Sequence, residues 1–175
     1  MRRYGGALRP MPASGGWRGL AAGCAMLLPA LCALPAAAEK YQSDEWVTEC
    51  GVGPETGARE CTITVPFQER EKGQKGAFAL VVALSSGDLA VVGEPVPQRA
   101  VLQVDGNPAI ECKEPRYCLF APGDSRTLLD ELRTGSVILI DVFTAKAAFK
   151  ASLTARGYRA GIAQIRAWGY PLAGD

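Results

Sequence analysis

The chain has 175 residues with 19 Lys and Arg, 18 Asp and Glu, a net charge of +1 and no histidine. The lack of histidine excludes Ser–His and Cys–His nucleophile pairs and imidazole metal ligands. Histidine is also the side chain most used for proton transfer near neutral pH. We therefore expect a protein that is not an enzyme and that uses no metal and no cofactor.

The N-terminal segment has the pattern of a secretory signal peptide. Residues 1–19 carry four arginines and no acid, an apolar run covers 20–34, and small residues of the A-x-A type follow. Translation from Met1 gives a long leader, whereas a start at Met11 gives one of ordinary length. The alternative is a membrane anchor, but the apolar run falls short of the roughly 20 residues that span a bilayer.

Cleavage after Ala38 leaves residues 39–175, which suit one domain. This part has 15 basic and 18 acidic residues and so a net charge of −3. We expect no binding to nucleic acid, because that requires clustered Lys and Arg. The expected location is the periplasm, with outer-membrane association or secretion left open, and no transmembrane segment is expected after cleavage.

Four cysteines remain in the expected mature chain. An even number of cysteines in an exported protein predicts a disulfide framework. Three pairings are possible, and local geometry favours Cys50–Cys61 and Cys112–Cys118, since each pair would join the arms of one predicted hairpin. Each short loop closed in this way stabilises the fold by roughly 2–3 kcal/mol. Their spacings do not match a zinc site or a redox pair.

Apolar alternation and turn residues predict a mostly β domain. An Asp-Gly-Asn turn at 105–107 predicts one tight hairpin, and polar residues at 68–76 are interpreted as a loop. The predicted strands are 46–50, 61–65, 77–84, 89–92, 101–104, 117–120, 136–144 and 147–153. Many short strands with frequent turns indicate an antiparallel β-sandwich or a partly closed barrel.

Two short helices are predicted beside the strands. The first is capped by Asp124 or Ser125 and ends with Gly135 at the C′ position. The second spans about 158–168 and buries a stripe of Tyr158, Ile162 and Ile165. The opposite side of this second helix carries a candidate partner surface, which consists of Arg156, Arg159 and Arg166.

Two side chains were weighed as catalytic groups. Ser125 follows a Gly-Asp pair like that of an esterase motif, but no histidine is present to activate it, so a helix cap is the favoured role. Asp141 is a charge within an apolar strand, and a position on an open face or in an ion pair is the favoured interpretation. Asp130 and Glu131 are neighbours on a helix and do not face each other, which indicates a solvated surface.

The order of these motifs resembles the invasion-associated locus B family of exported bacterial proteins. The resemblance covers residues 44–170. Its elements are the W-x-x-x-C segment Trp46-Val47-Thr48-Glu49-Cys50, then Cys61, Leu102-Gln103-Val104-Asp105-Gly106, Cys112, Cys118, the helix Leu128-Leu129-Asp130-Glu131-Leu132-Arg133-Thr134-Gly135, and finally Ser152-Leu153 with Gly157-Tyr158.

This resemblance implies a periplasmic or envelope-associated protein, linked in some pathogens to host-cell invasion, with no established catalytic residues. We therefore expect a binding or structural protein whose partner is an unknown protein or an envelope or host-surface ligand. Loops at 66–76 and 93–99 are expected to present its variable surface. A surface-exposed virulence factor is the alternative function, and an enzyme that uses Asp141 or Ser125 is a third.

Overall fold

About half of the residues that the structure describes belong to β-strands. The computed structural model describes residues 38–53, 56–71, 74–112, 117–170 and 172. The predicted signal peptide lies outside the described residues apart from Ala38 itself. Residues 35–175 form one compact unit.

The described residues form ten strands and two helices. In chain order these are β1 (Glu39–Ser43), β2 (Trp46–Val52), β3 (Arg59–Glu71), β4 (Gln74–Ala83), β5 (Asp88–Glu94), β6 (Arg99–Val104), β7 (Ile110–Cys112), β8 (Cys118–Leu119), α1 (Pro122–Thr134), β9 (Val137–Phe143), β10 (Ala148–Thr154) and α2 (Arg156–Ala167).

The strands build two separate sheets. One has six strands in the order β1-β2-β3-β4-β5-β8, and the other has four in the order β10-β9-β6-β7. All paired neighbours are antiparallel. The prediction of a mostly β, sandwich-like fold with two helices is confirmed.

Both predicted disulfides are formed, and the first follows from strand register. Cys50 lies directly opposite Cys61 in the β2–β3 pair, and their sulfur atoms are bonded. Cys112 at the end of β7 is bonded to Cys118 at the start of β8. Because β7 and β8 belong to different sheets, this second bond links the two layers, and the prediction that it joins the arms of one hairpin was wrong.

One core lies between the sheets and the helices. It contains the inward residues of both sheets, such as Leu80, Leu102 and Ile140, which are fully buried. Leu128 and Leu132 of α1 join it, as do Tyr158 and Ile165 of α2. The predicted stripe on α2 is therefore confirmed as core-facing, and α1 also turns its leucines toward the core.

The polar segment 68–76 was wrongly predicted to be a loop. β3 and β4 run on as a ladder to the pair Glu71 and Gln74. A strand ladder is held by backbone hydrogen bonds, which do not require apolar side chains. At the base of this extension the Phe78 ring packs against Phe67 and Phe149, with ring centroids 5.7 and 5.0 Å apart.

The ends of α1 also differ from the prediction. The helix begins at Pro122 with Ala121 as its N-cap residue, so neither Asp124 nor Ser125 caps it. Proline is favoured at this first helical position because its missing N–H needs no partner there. Gly135 is the C-cap residue in an extended conformation. Glycine is required there by close packing, since a Cβ would collide with Val104 Cγ1 and lie 2.8 Å from the Glu131 carbonyl.

Two glycines let α2 lie unusually close to the six-stranded sheet. A Cβ on Gly157 would collide with the Trp46 ring, and one on Gly161 would collide with Thr48 Oγ1. Trp46 is 1% exposed, and its Nε1 donates a hydrogen bond of 2.6 Å to the carbonyl of Thr154. The helix therefore packs directly on the first residues of β2.

Strand β1 was not predicted. It lies at the edge of the six-stranded sheet, with Glu39 opposite Cys50 and Ser43 opposite Trp46. Its alternating half-buried and exposed residues carry little apolar signal. The expected N-terminus of the mature chain is thus the first residue of an edge strand.

Candidate binding surfaces

Strand β9 has apolar side chains on both of its faces, although only one face is covered. Ile138, Ile140 and Val142 point into the core and are buried. On the opposite face Val137 and Leu139 are 42% and 44% exposed. An interior strand with apolar residues on both faces is typical of a sheet that is covered on both sides.

We call the side of the four-stranded sheet that points away from the core the outer sheet face. Its central row crosses all four strands at one level. Lys150 of β10 pairs with Asp141 of β9, Asp141 pairs with Val101 of β6, and Val101 pairs with Glu111 of β7. The row thus begins with a cation at one edge of the sheet and ends with an anion at the other.

The same face is shallowly concave. The concavity has a volume of about 580 Å³. Its lining residues come from β6, β9, β10 and the turn before β7, and they are Val101, Gln103, Ala109, Leu139, Asp141, Lys150, Ala151 and Ser152. An apolar centre surrounded by polar groups is the usual composition of a binding surface.

The charged side chains of the outer sheet face form two ion pairs. Asp141 accepts a hydrogen bond of 3.3 Å from Lys150 Nζ, and the two side chains are 36% and 76% exposed. Arg99 lies 3.5 Å from Glu111 and stacks over the Phe143 ring at 4.1 Å from its centroid. Asp141 is therefore a partly exposed member of an ion pair on an open face.

The three arginines of α2 make different contacts. Arg156 makes two hydrogen bonds to the carboxylate of Asp44, at 3.1 and 3.0 Å. These hydrogen bonds lower the pKa of Asp44 below its ordinary value. Desolvation raises this pKa, but its effect is smaller. Arg156 is thus drawn toward the β1–β2 turn.

The other two arginines line a separate cavity of about 290 Å³ between the helices. Arg159 donates a hydrogen bond to the Gly135 carbonyl at the end of α1. Arg166 lies about two turns farther along α2, and Arg133 of α1 completes the cluster. Arg133 is itself ion-paired with Asp130 at 2.5 Å. Arg133 and Arg159 thus place positive charge at the C-terminal end of α1, where cations are favourable.

The remaining sequence candidates lie away from the outer sheet face. Ser125 is fully buried, and its hydroxyl donates a hydrogen bond of 3.2 Å to the Phe120 carbonyl. Asp130 belongs to the ion pair with Arg133 on exposed helix surface. One carboxylate oxygen of Glu131 is buried without a hydrogen-bond partner among the described residues.

Tyr158 is the most strongly perturbed titratable side chain of α2. It is 1% exposed, and its ring lies 5.9 Å from that of Trp46. Burial raises the pKa of Tyr158 to about 12. The charge of Arg133 lowers this pKa and that of Asp130 raises it, and both effects are smaller than that of burial. A phenol of this kind stays protonated at physiological pH, so its role is packing.

The two loops that were expected to present a variable surface are smaller than predicted. In the segment 66–76 residues 66–71 and 74–76 belong to strands, and Phe67 is buried. In the segment 93–99 only residues 95–98 lie between β5 and β6. Here Val96 is 43% exposed, whereas Pro97 is buried.

Two general properties concern only the described part of the chain. Within the ranges given above, no three His, Cys, Asp or Glu side chains come together in a way that could hold a metal ion. Neither helix of this part combines the length and apolarity that a membrane-spanning helix needs.

Comparison of the chain with protein-family models, with curated proteins and with solved structures found no match. The resemblance to the invasion-associated locus B family therefore remains an expectation from sequence motifs.

Sequence reasoning named Asp141 but missed the other groups of the outer sheet face. Val101, Leu139 and Lys150 were assigned to strands without a functional role, and Glu111 was given no role. A signal was present in β9, where apolar residues occupy both alternating sets of positions. Strand order then decides which of those residues stay open to solvent, and strand order is not readable from a single strand.

Proposed function

We propose that this protein is an exported, non-catalytic binding or structural protein of the bacterial cell envelope, of the invasion-associated locus B type. The proposed location is the periplasm. Support comes from the signal-peptide pattern, from the motif order and from the two disulfides, which suit an oxidising compartment.

The observation that carries the proposal is the outer sheet face. Val137 and Leu139 are each more than two-fifths exposed on a strand that has neighbours on both sides. Contiguous exposed apolar side chains with a polar rim are typical of protein interaction sites. The proposed activity is accordingly the binding of a protein on this face.

A non-catalytic role is favoured by the surroundings of the two side chains that were weighed for catalysis. The Ser125 hydroxyl is buried and donates to a backbone carbonyl, as a structural serine does. Asp141 is held by the Lys150 ammonium group at 3.3 Å, as a surface carboxylate commonly is.

The test is site-specific photo-crosslinking in intact bacterial cells that produce the full-length chain. A photoreactive phenylalanine analogue replaces Leu139, and the matched control places it at Val52, which is also an exposed apolar residue but belongs to the other sheet. We expect a discrete protein adduct from position 139 and none from position 52. The absence of any protein adduct from position 139 would refute the proposed function.

Mass spectrometry of the same recovered protein tests the export component. We expect a chain that begins at Glu39 and whose four cysteines react with an alkylating agent only after reduction. A chain that retains earlier residues, or native free thiols, would contradict export with cleavage at this position.

A further inference from the structure

We propose that the protein bound on the outer sheet face is a second copy of this chain, packed face to face about a two-fold axis. The axis would run parallel to the strands, between β9 and β6. This inference rests on the proposed function and identifies the partner.

The charge on the face favours this partner. Arg99 and Lys150 supply two cations, and Asp141 and Glu111 supply two anions, so the exposed charges balance. A strongly acidic or strongly basic partner gains no net attraction from such a surface. A second copy does gain attraction, provided that symmetry brings unlike charges together.

The register of the strands brings unlike charges together. A two-fold rotation about the proposed axis reverses the order of the strands but keeps every cross-strand row at its own level. In the central row, Lys150 at one edge therefore faces Glu111 of the partner subunit at the opposite edge. The contact occurs twice, because the symmetry is two-fold.

The distances suit these contacts. Packed sheets lie about 10 Å apart, a gap that an extended lysine and a glutamate can bridge together. The strands near the axis, β9 and β6, carry the apolar Leu139 and Val101, which such packing would remove from water. The charged contacts would then surround an apolar centre, as in most protein interfaces.

The size of the face sets the expected strength of the dimer. The strands β10, β9, β6 and β7 have 7, 7, 6 and 3 residues, and at a spacing of about 4.8 Å they cover a flat area of about 375 Å² per subunit. Two such faces bury about 750 Å², which is below the roughly 1,200–2,000 Å² of a stable complex. We therefore expect a reversible dimer that dissociates on dilution.

Charge reversal across the axis provides the test. Purified mature protein is studied by sedimentation velocity over a wide range of concentrations. Lys150→Glu places two glutamates opposite each other at both symmetry-related contacts, and Glu111→Lys places two lysines there. Each variant should therefore dimerise at least about tenfold more weakly than the native chain. An equal mixture of the two variants should recover dimerisation, because each heterodimer again pairs Glu with Lys.

The matched control is Lys40→Glu. It reverses the charge of a lysine that forms a similar cross-strand ion pair, with Glu49, on the other sheet. It should leave dimerisation unchanged. The inference is overturned if the native protein is monomeric at every concentration, or if Lys150→Glu and Glu111→Lys dimerise as the native chain does. A crosslink from position 139 to a different protein would overturn the dimer while leaving the proposed function intact.

Discussion

The close packing of α2 on β2 makes a sharp prediction about Gly157. Replacement of Gly157 by alanine adds a methyl group that would collide with the Trp46 ring and lie 2.6 Å from the Ser43 carbonyl. Overpacking of this kind costs about 1–3 kcal/mol. If α2 moves away to relieve it, the Trp46–Thr154 hydrogen bond, worth about 1 kcal/mol, is weakened as well.

Gly123 provides a matched control for this substitution. It is the second residue of α1, as Gly157 is of α2, but a Cβ there meets nothing within 4 Å. A change from glycine to alanine raises helix propensity and restricts the unfolded chain equally at both positions. Together these two effects stabilise the folded state by up to about 1 kcal/mol. We expect Gly123→Ala to be neutral or slightly stabilising and Gly157→Ala to be about 2–4 kcal/mol less stable than that control.

The assay is urea unfolding of the mature, oxidised protein, followed by far-UV circular dichroism. The slope of the unfolding free energy against urea should be the same for both variants, because both unfold the same surface. Equal stability of Gly157→Ala and Gly123→Ala would refute the inferred contact between α2 and Trp46.

Two further predictions concern alkaline pH and the disulfides. Burial raises the pKa of Tyr158 from 10.0 to about 12, so its contribution to stability is complete below pH 10 and falls by about 1.4 kcal/mol per pH unit up to pH 12. Tyr158→Phe should reduce that alkaline loss in unfolding experiments, and an unchanged slope would contradict the assignment. Paired alanine substitution should cost about 2.8 kcal/mol at Cys50 and Cys61 and about 2.2 kcal/mol at Cys112 and Cys118, because their sequence separations are 11 and 6. The reverse order in denaturant unfolding would show that loop length does not decide the difference.

The sequence predicted the parts of the fold that depend on local patterns. Alternation and turn residues located the disulfide-bearing hairpin at Cys50 and Cys61, and the apolar stripe that includes Ile162 located α2. Where side-chain polarity was the criterion, the prediction failed. The segment 68–76 continues a backbone ladder, and strand β1 gains its partners from β2 rather than from its own composition.

The helix ends show a second limit of local patterns. Asp124 and Ser125 are good capping residues, but the helix begins earlier, at Pro122. Gly135 was expected at the C′ position, whereas the structure has it as the C-cap residue, and the proximity of Val104 in another strand explains why a glycine is needed there. Contacts between distant residues thus decided details that the neighbouring residues left open.

The same distinction explains why the outer sheet face was not found from sequence. The residues of β9 predict a strand covered on both faces, and the fold covers only one of them. Lys150, Asp141, Val101 and Glu111 are spread over 50 residues of chain and meet in one row only because β10, β9, β6 and β7 are neighbours in that order. The exposed Leu139 beside that row is therefore best explained by a second apolar surface that packs against it, and the opposite charges at the two ends of the row favour another copy of the same face.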